Sequence, residues 1–194
     1  MDIRALDRRA LDLTGRLVAR VRPARLTSPT PCPDWTLYGL LRHLVAQNAG
    51  FAAAAEGSAD LAPWQRAELG DDPAAAYERS AERVTAAFAA ADALERTFAM
   101  PELGTGAAFP GRVAIGFHLL DYVVHAWDVA ATLDLPWEPD EELTSAALRV
   151  AERIPDETRS PGSFFGPRAP LPADASPRRR LLALAGRTPR EGEC

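Results

Sequence analysis

The chain has 194 residues, 47% of them hydrophobic and 25% charged, which is enough to bury a core without disulfides or a second lobe. A net charge of -5 and a pI near 5.3 speak against a nucleic-acid partner, which needs a basic face to displace counterions from phosphates. No window approaches the ~20 apolar residues of a bilayer span and no N-terminal stretch has a signal-peptide layout, so a cytoplasmic protein without a membrane partner is expected.

Helical periodicity dominates from the start. Ile3, Leu6, Ala10, Leu13 and Leu17 recur at spacings of three and four, with Asp2 placed as a cap, which predicts a helix over about 2–21. Its other face carries Arg4, Asp7, Arg8 and Asp12 and reads as solvated. A proline-rich connector, Thr27 to Pro33, ends at Asp34, whose carboxylate can cap a second helix over about 35–55 with Leu37, Leu40, Leu41, Leu44 and Phe51 as its stripe. Tyr77, Ala81, Val84 and Phe88 mark a third helix over about 73–94. Gly104, Gly106, Pro110 and Gly111 break the chain before a fourth, over about 112–133. Asp140, Glu141 and Glu142 then open a shorter fifth helix running to about Arg153, acidic at its positive dipole end.

No period-two alternation bounded by turn residues stands out, so the core is read as an all-helical bundle over 1–154. From Pro155 the chain turns Pro-rich, interrupted by Leu181, Leu182, Ala183 and Leu184. Residues 155–194 read as an extended tail packed on the bundle by a turn or two of helix, with Arg178, Arg179 and Arg180 as its solvated start. Every one of the 22 basic residues is arginine, the bias of a GC-rich genome. The two cysteines, Cys32 and Cys194, lie far apart with no paired spacing, which fits a reducing compartment.

The fourth helix carries the chemistry. At roughly 100° per residue, Ile115, Leu119, Tyr122, Ala126, Val129 and Leu133 form a core stripe, and His118, Asp121, His125, Asp128 and Thr132 form a polar band beside it. Residues 113–133 contain no Arg or Glu, so this helix is expected to be enclosed rather than wet on its polar side. Buried carboxylates and imidazoles need partners. Asp121 and His125, four apart on one face, can grip one cation together while His43 closes on it from the second helix. A hydrogen-bonded Asp/His network without metal answers the same pattern. His118 and Asp128 are candidates to orient His125 or meet a substrate, and equally to bridge helices. Cys32, at the mouth of the second helix, reads either as a small residue packed in a Pro-rich turn or as a redox group or further ligand. Trp35 and Trp127 read as wall and core.

These residues carry a resemblance. Thr30-Pro-Cys-Pro-Asp-Trp35 followed by Leu40, Leu41, His43 and Leu44 resembles the opening ligand segment of the DinB-like metal-binding superfamily, in the branch of mycothiol-dependent maleylpyruvate isomerase. Asp121-Tyr-Val-Val-His125-Ala-Trp-Asp128-Val-Ala130 is similar to its second segment. Phe165-Gly-Pro167 and the run from Leu181 to Pro189 resemble an actinobacterial subgroup of that branch. The resemblance implies a DinB-like four-helix bundle, here with an extra short helix and an extended C-terminal tail, and His43, Asp121 and His125 as metal ligands. Two departures stand out: the isomerase has glutamate where this chain has Asp121, and it carries a separate C-terminal domain without counterpart here. Both point away from maleylpyruvate as the substrate.

Two imidazoles and a carboxylate with open positions is the donor set of catalytic zinc, and it also suits Fe, Ni or Mn as divalent ions. The leading expectation is an enzyme that activates a low-molecular-weight thiol, mycothiol by the resemblance, for transfer to or isomerisation of an electrophilic small molecule. A metal-dependent hydrolase using bound hydroxide is the second reading, with Asp128 or His118 shuttling the proton. The third is a non-catalytic module, a homodimer for instance, that holds a metal or small molecule without turnover.

Overall fold

The computed structural model describes residues 2–33, 35–159 and 166–189. In chain order its elements are α1 (Ile3–Val18), α2 (Leu37–Ala55), α3 (Ala62–Gln65), α4 (Pro73–Phe88), β1 (Thr97–Ala99), β2 (Ala108–Pro110), α5 (Gly111–Leu133), α6 (Glu141–Ala151) and α7 (Pro177–Leu184). The fold is all-α. Four helices close a ring, α1 against α5, α5 against α2, α2 against α4 and α4 back against α1. Outside that ring α6 lies on α5 and α1, and α7 lies on α6. No helix among the described residues is long and apolar enough to cross a membrane.

Most helix starts carry a cap that the sequence writes out. Asp2 accepts from the Arg4 amide, Asp72 from Ala75 with Pro73 in the first turn, Asp140 from Leu143, and Ser176 from Arg179 with Pro177 behind it. α2 departs from expectation: it begins at Leu37, and Thr36 takes the capping role, accepting from Gly39. Asp34, expected in that role, lies outside the described residues, as do Phe165 and Cys194. α4 stops at Phe88, six residues before the expected end at Leu94, and the chain turns into a two-stranded antiparallel hairpin pairing Phe98 with Phe109. Strands of three residues are too short to show an alternation, which is why the pattern hid them.

One side chain is placed opposite to the sequence reading. Asp7, expected on the solvated face of α1, is only 1% exposed. A short acidic side chain among arginines gives no local sign of burial; its partner, His118, comes from a helix more than a hundred residues later.

Candidate metal centre

α5 is buried on nearly every face from Ala114 to Thr132, as its lack of Arg and Glu past Arg112 requires of an enclosed helix. Asp121, His125 and Asp128 succeed one another at spacings of four and three, and therefore project from one side. From α2, His43 faces that side. The ligand-capable atoms of His43, Asp121 and His125 all lie within 4.8 Å of one another. His125 Nε2 is 3.2 Å from Asp121 Oδ1, and the two imidazole rings meet edge to face at 5.0 Å. Trp35, at the entrance to α2, lies 4.5 Å from the His43 ring and 5.8 Å from that of His125, walling the cluster.

Two atoms of this cluster lack partners. His43 Nε2 and Asp121 Oδ2 face each other at 3.5 Å, buried, and neither makes a hydrogen bond. Buried polar atoms are almost always satisfied, so an orphaned pair on converging ligand groups fits a cation that both would bind. The electrostatics agree. Burial alone would raise the Asp121 carboxyl, but the charge and hydrogen bond of His125, with His43 facing it on the other side, hold it well below the usual carboxylate range. Burial lowers His43, and Asp121 does not make up the difference, so this imidazole is neutral and offers a lone pair. Burial would lower His125 too, yet Asp121 and Asp128 on its two sides raise it well above the usual imidazole value. His125 is thus held protonated between the two carboxylates.

Behind His125 lies a second layer. His125 Nδ1 donates to Asp128 Oδ2 at 2.7 Å, which fixes the ring and aims Nε2 at Asp121. Asp128 is wholly buried, and its charge is answered by Arg187 from the chain that follows α7: Nη2 reaches Oδ2 at 2.8 Å and Nε reaches Oδ1 at 3.3 Å. Burial would raise Asp128, but His125 and Arg187 bring it down to about 2. Arg187 Nη2 also donates to Cys32 Sγ at 3.0 Å, and that thiol lies 3.4 Å from Asp128 Oδ2. Cys32, His125 and Asp128 therefore make a second group with metal-ligand spacing. It already contains a cation, the Arg187 guanidinium, whereas the group with His43 holds the unpartnered atoms. The first group is the better metal site.

His118 does not join either group. Its Nδ1 meets Asp7 Oδ1 at 2.7 Å and its Nε2 meets Asn48 Oδ1 at 3.1 Å, so both ring nitrogens are engaged in a bridge tying α1, α2 and α5. Asn48 donates in turn to Ser80, whose hydroxyl donates to the Tyr77 carbonyl. That chain of donors leaves Asn48 Oδ1 free only to accept, so His118 donates to it. Of the polar band on α5, Asp121, His125 and Asp128 serve the candidate centre, while His118 and Thr132 serve the framework. Arg187 was not singled out from sequence as a site residue. It is one of 22 arginines in a Pro-rich stretch, and only the path of the tail brings it to Asp128.

The sequence matches the model of the family "Mycothiol maleylpyruvate isomerase N-terminal domain" over residues 8–130. Two Mycobacterium tuberculosis proteins, Uncharacterized protein Rv0738 of strain ATCC 25618 / H37Rv and Uncharacterized protein MT0763 of strain CDC 1551 / Oshkosh, are each 34% identical to it over 191 residues, 98% of this chain and 100% of theirs. The crystal structure of the mycothiol-dependent maleylpyruvate isomerase superposes with a TM-score of 0.59 at 16% identity, over 84% of this chain and 72% of that one. A histidine-to-alanine mutant of the same isomerase gives 0.61 at 14% identity over the same shares. The bundle matched over residues 8–130 holds all three converging residues, and the chain belongs to the mycothiol maleylpyruvate isomerase N-terminal domain family.

Proposed function

We propose that this chain is a divalent-metal-dependent enzyme in which His43, Asp121 and His125 hold the cation, and a low-molecular-weight thiol, mycothiol, is transferred to an electrophilic small molecule or drives its isomerisation. The observation that carries this reading is the buried, unpartnered pair His43 Nε2 and Asp121 Oδ2 beside His125 Nε2. Two imidazoles and one carboxylate favour zinc, with Fe, Ni and Mn as alternatives. When bound, such an ion lowers the pKa of a thiol so that thiolate is present at neutral pH.

The protein's own groups do the rest. Asp128 accepts the hydrogen bond of His125 Nδ1–H and so keeps Nε2 directed into the site, and Arg187 balances the Asp128 charge. Trp35 covers the His43 and His125 rings, which limits water at the cluster. His118 takes no part in this scheme, both of its nitrogens being engaged elsewhere. Family membership supports the choice of mycothiol. The shorter arm of Asp121, where the resemblance expects glutamate, argues for a substrate other than maleylpyruvate.

Elemental mass spectrometry on protein purified without chelators or a histidine tag tests the metal. About one equivalent is expected in the wild type, and a loss of most of it in His125→Ala and in His43→Ala. No metal in the wild type, even after reconstitution with zinc, would reduce the cluster to a structural network. With metal present, a screen of mycothiol against electrophiles tests the chemistry. Thiol-independent turnover of esters or amides, abolished by chelator, would replace thiol transfer with hydrolysis.

A further inference from the structure

Between β1 and β2 the chain makes a single 3-10 turn, Pro101–Leu103, that lays Glu102 against α2. Gln47, buried and one helical turn past His43, donates from Nε2 to Glu102 Oε2 at 2.9 Å. Glu102 is half-buried, and its other oxygen, Oε1, accepts no hydrogen bond among the described residues. Gln47 lies four residues past His43 on the same face of α2, so its hydrogen bond seats Glu102 one helical turn from the cluster, and the group facing Glu102 from α2 is this neutral amide. Among the described residues no guanidinium or imidazole pairs with it.

The other acidic and basic groups of the site are already committed. Asp121 and His125 are tied to one another and His43 faces Asp121, Asp128 is held by His125 and Arg187, and His118 is held by Asp7 and Asn48. Among the described residues, Glu102 alone combines nearness to the cluster with a free oxygen and no ion pair.

Resting on the thiol reading above, we propose that Glu102 is the proton acceptor of the site, taking the proton that a thiol gives up on entering beside His43, Asp121 and His125. The S–H bond breaks, its electron pair stays on sulfur as thiolate, and the proton forms an O–H bond at Glu102 Oε1. When the sulfur then adds to the electrophile, the same proton passes to the product anion and the carboxylate is restored. No oxidant or reductant is needed. The environment suits a group that must do both: burial, then Asp121, push the Glu102 carboxyl up to about 7 against the hydrogen bond from Gln47.

The test uses the zinc-loaded full chain and N-acetylcysteine as the thiol probe. Calorimetric titration in buffers of different ionisation enthalpy counts the protons set free on binding, and carbon NMR of glutamate labelled at its carboxyl reports Glu102 directly. In the wild type the bound thiol is expected to release few protons to solvent, and the Glu102 resonance to move to its protonated position. Glu102→Gln keeps the size and the acceptor for Gln47, and should release about one proton per thiol bound with its zinc content unchanged. Equal proton release from the two proteins, or a Glu102 resonance that does not move while thiol binds, overturns the proposal and leaves the metal and thiol reading standing. A wild type that takes up zinc but no thiol, or no zinc at all, overturns that reading and the proposal with it.

Discussion

Asp128 is a carboxylate without access to water, and its charge is tolerable only because His125 and Arg187 both donate to it. Removing one partner of such a buried pair leaves the other uncompensated, so Arg187→Met should destabilise the fold by roughly 3–5 kcal/mol in urea unfolding. Adding Asp128→Asn removes the stranded charge. The double variant should recover about 1–3 kcal/mol of that loss, a coupling that independent surface residues would not show. Glu102 gives a second prediction, with the sign set by its raised pKa. Its carboxyl titrates at about 7 in the fold against an ordinary 4.5, so between those values the folded chain binds more protons than the unfolded one. The stability it contributes is complete below the lower value and lost as pH rises through the upper. An amide does not ionise, so Glu102→Gln should gain stability over the wild type from about pH 4.5 to about pH 8, by ~1–2 kcal/mol once solvent screening of a half-exposed group is allowed for. Unfolding curves that stay parallel across that range would contradict it. At this scale the sequence was legible where spacing constrained it: Asp121 and His125 must share a face if 112–133 is helical. Asp7, Glu102 and Arg187 were illegible because each acts through a partner that only the folded chain brings near.

Among the elements, those set by periodicity and caps were readable and those set by a few tertiary contacts were not. α1 and α5 carry long apolar repeats and came out within three residues of their expected ends, whereas the hairpin joining α4 to α5 has only a three-residue register. That hairpin nevertheless fixes where α5 begins. The Gly111 amide donates to the Arg96 carbonyl at 2.7 Å, and a Cβ on Gly111 would stand 1.8 Å from the Ala93 carbonyl oxygen and 3.0 Å from the Phe98 ring. Backbone cannot step aside as a side chain can. Gly111→Ala is therefore expected to cost about 3 kcal/mol or more, at the upper end of overpacking effects. Gly116, one and a half turns further along α5, is the contrasting case. A Cβ there meets only Val150 Cγ2 at 3.4 Å, ordinary contact, and the helix interior favours alanine over glycine. Gly116→Ala should raise stability by about 0.5–1 kcal/mol. Thermal unfolding of the two variants, both far from His43 in sequence, separates the hairpin junction from simple helix propensity.

The whole molecule depends on a tail that composition alone describes poorly. Helical periods announce a bundle, but do not require that α2 and α5 lie side by side; the wheel position of His43 allowed that placement, which brings it to Asp121, and the family resemblance implied it. The tail is Pro-rich and short of periodicity, yet α7 seats Leu181 and Leu182 fully buried against α6, the Ala169 amide pairs with the Ala183 carbonyl, and Arg180 meets Glu152. It then delivers Arg187 to Asp128 and Cys32. The tail thus joins the outer layer of the bundle to the second layer of the candidate centre, and cutting it has two separable effects. A chain ending at Arg159 exposes the surface that α7 covers, about 1.5–3 kcal/mol for each buried leucine. It also strands the Asp128 charge beside His125. Against a total stability of about 5–15 kcal/mol, the truncated chain should unfold at much lower urea than the full one. Asp128→Asn in the truncated chain relieves the stranded charge but not the lost burial, so it should restore only part of the difference. Complete restoration would mean that α7 contributes nothing by packing, and no change on truncation would mean that the tail is no part of the fold's stability or of the site.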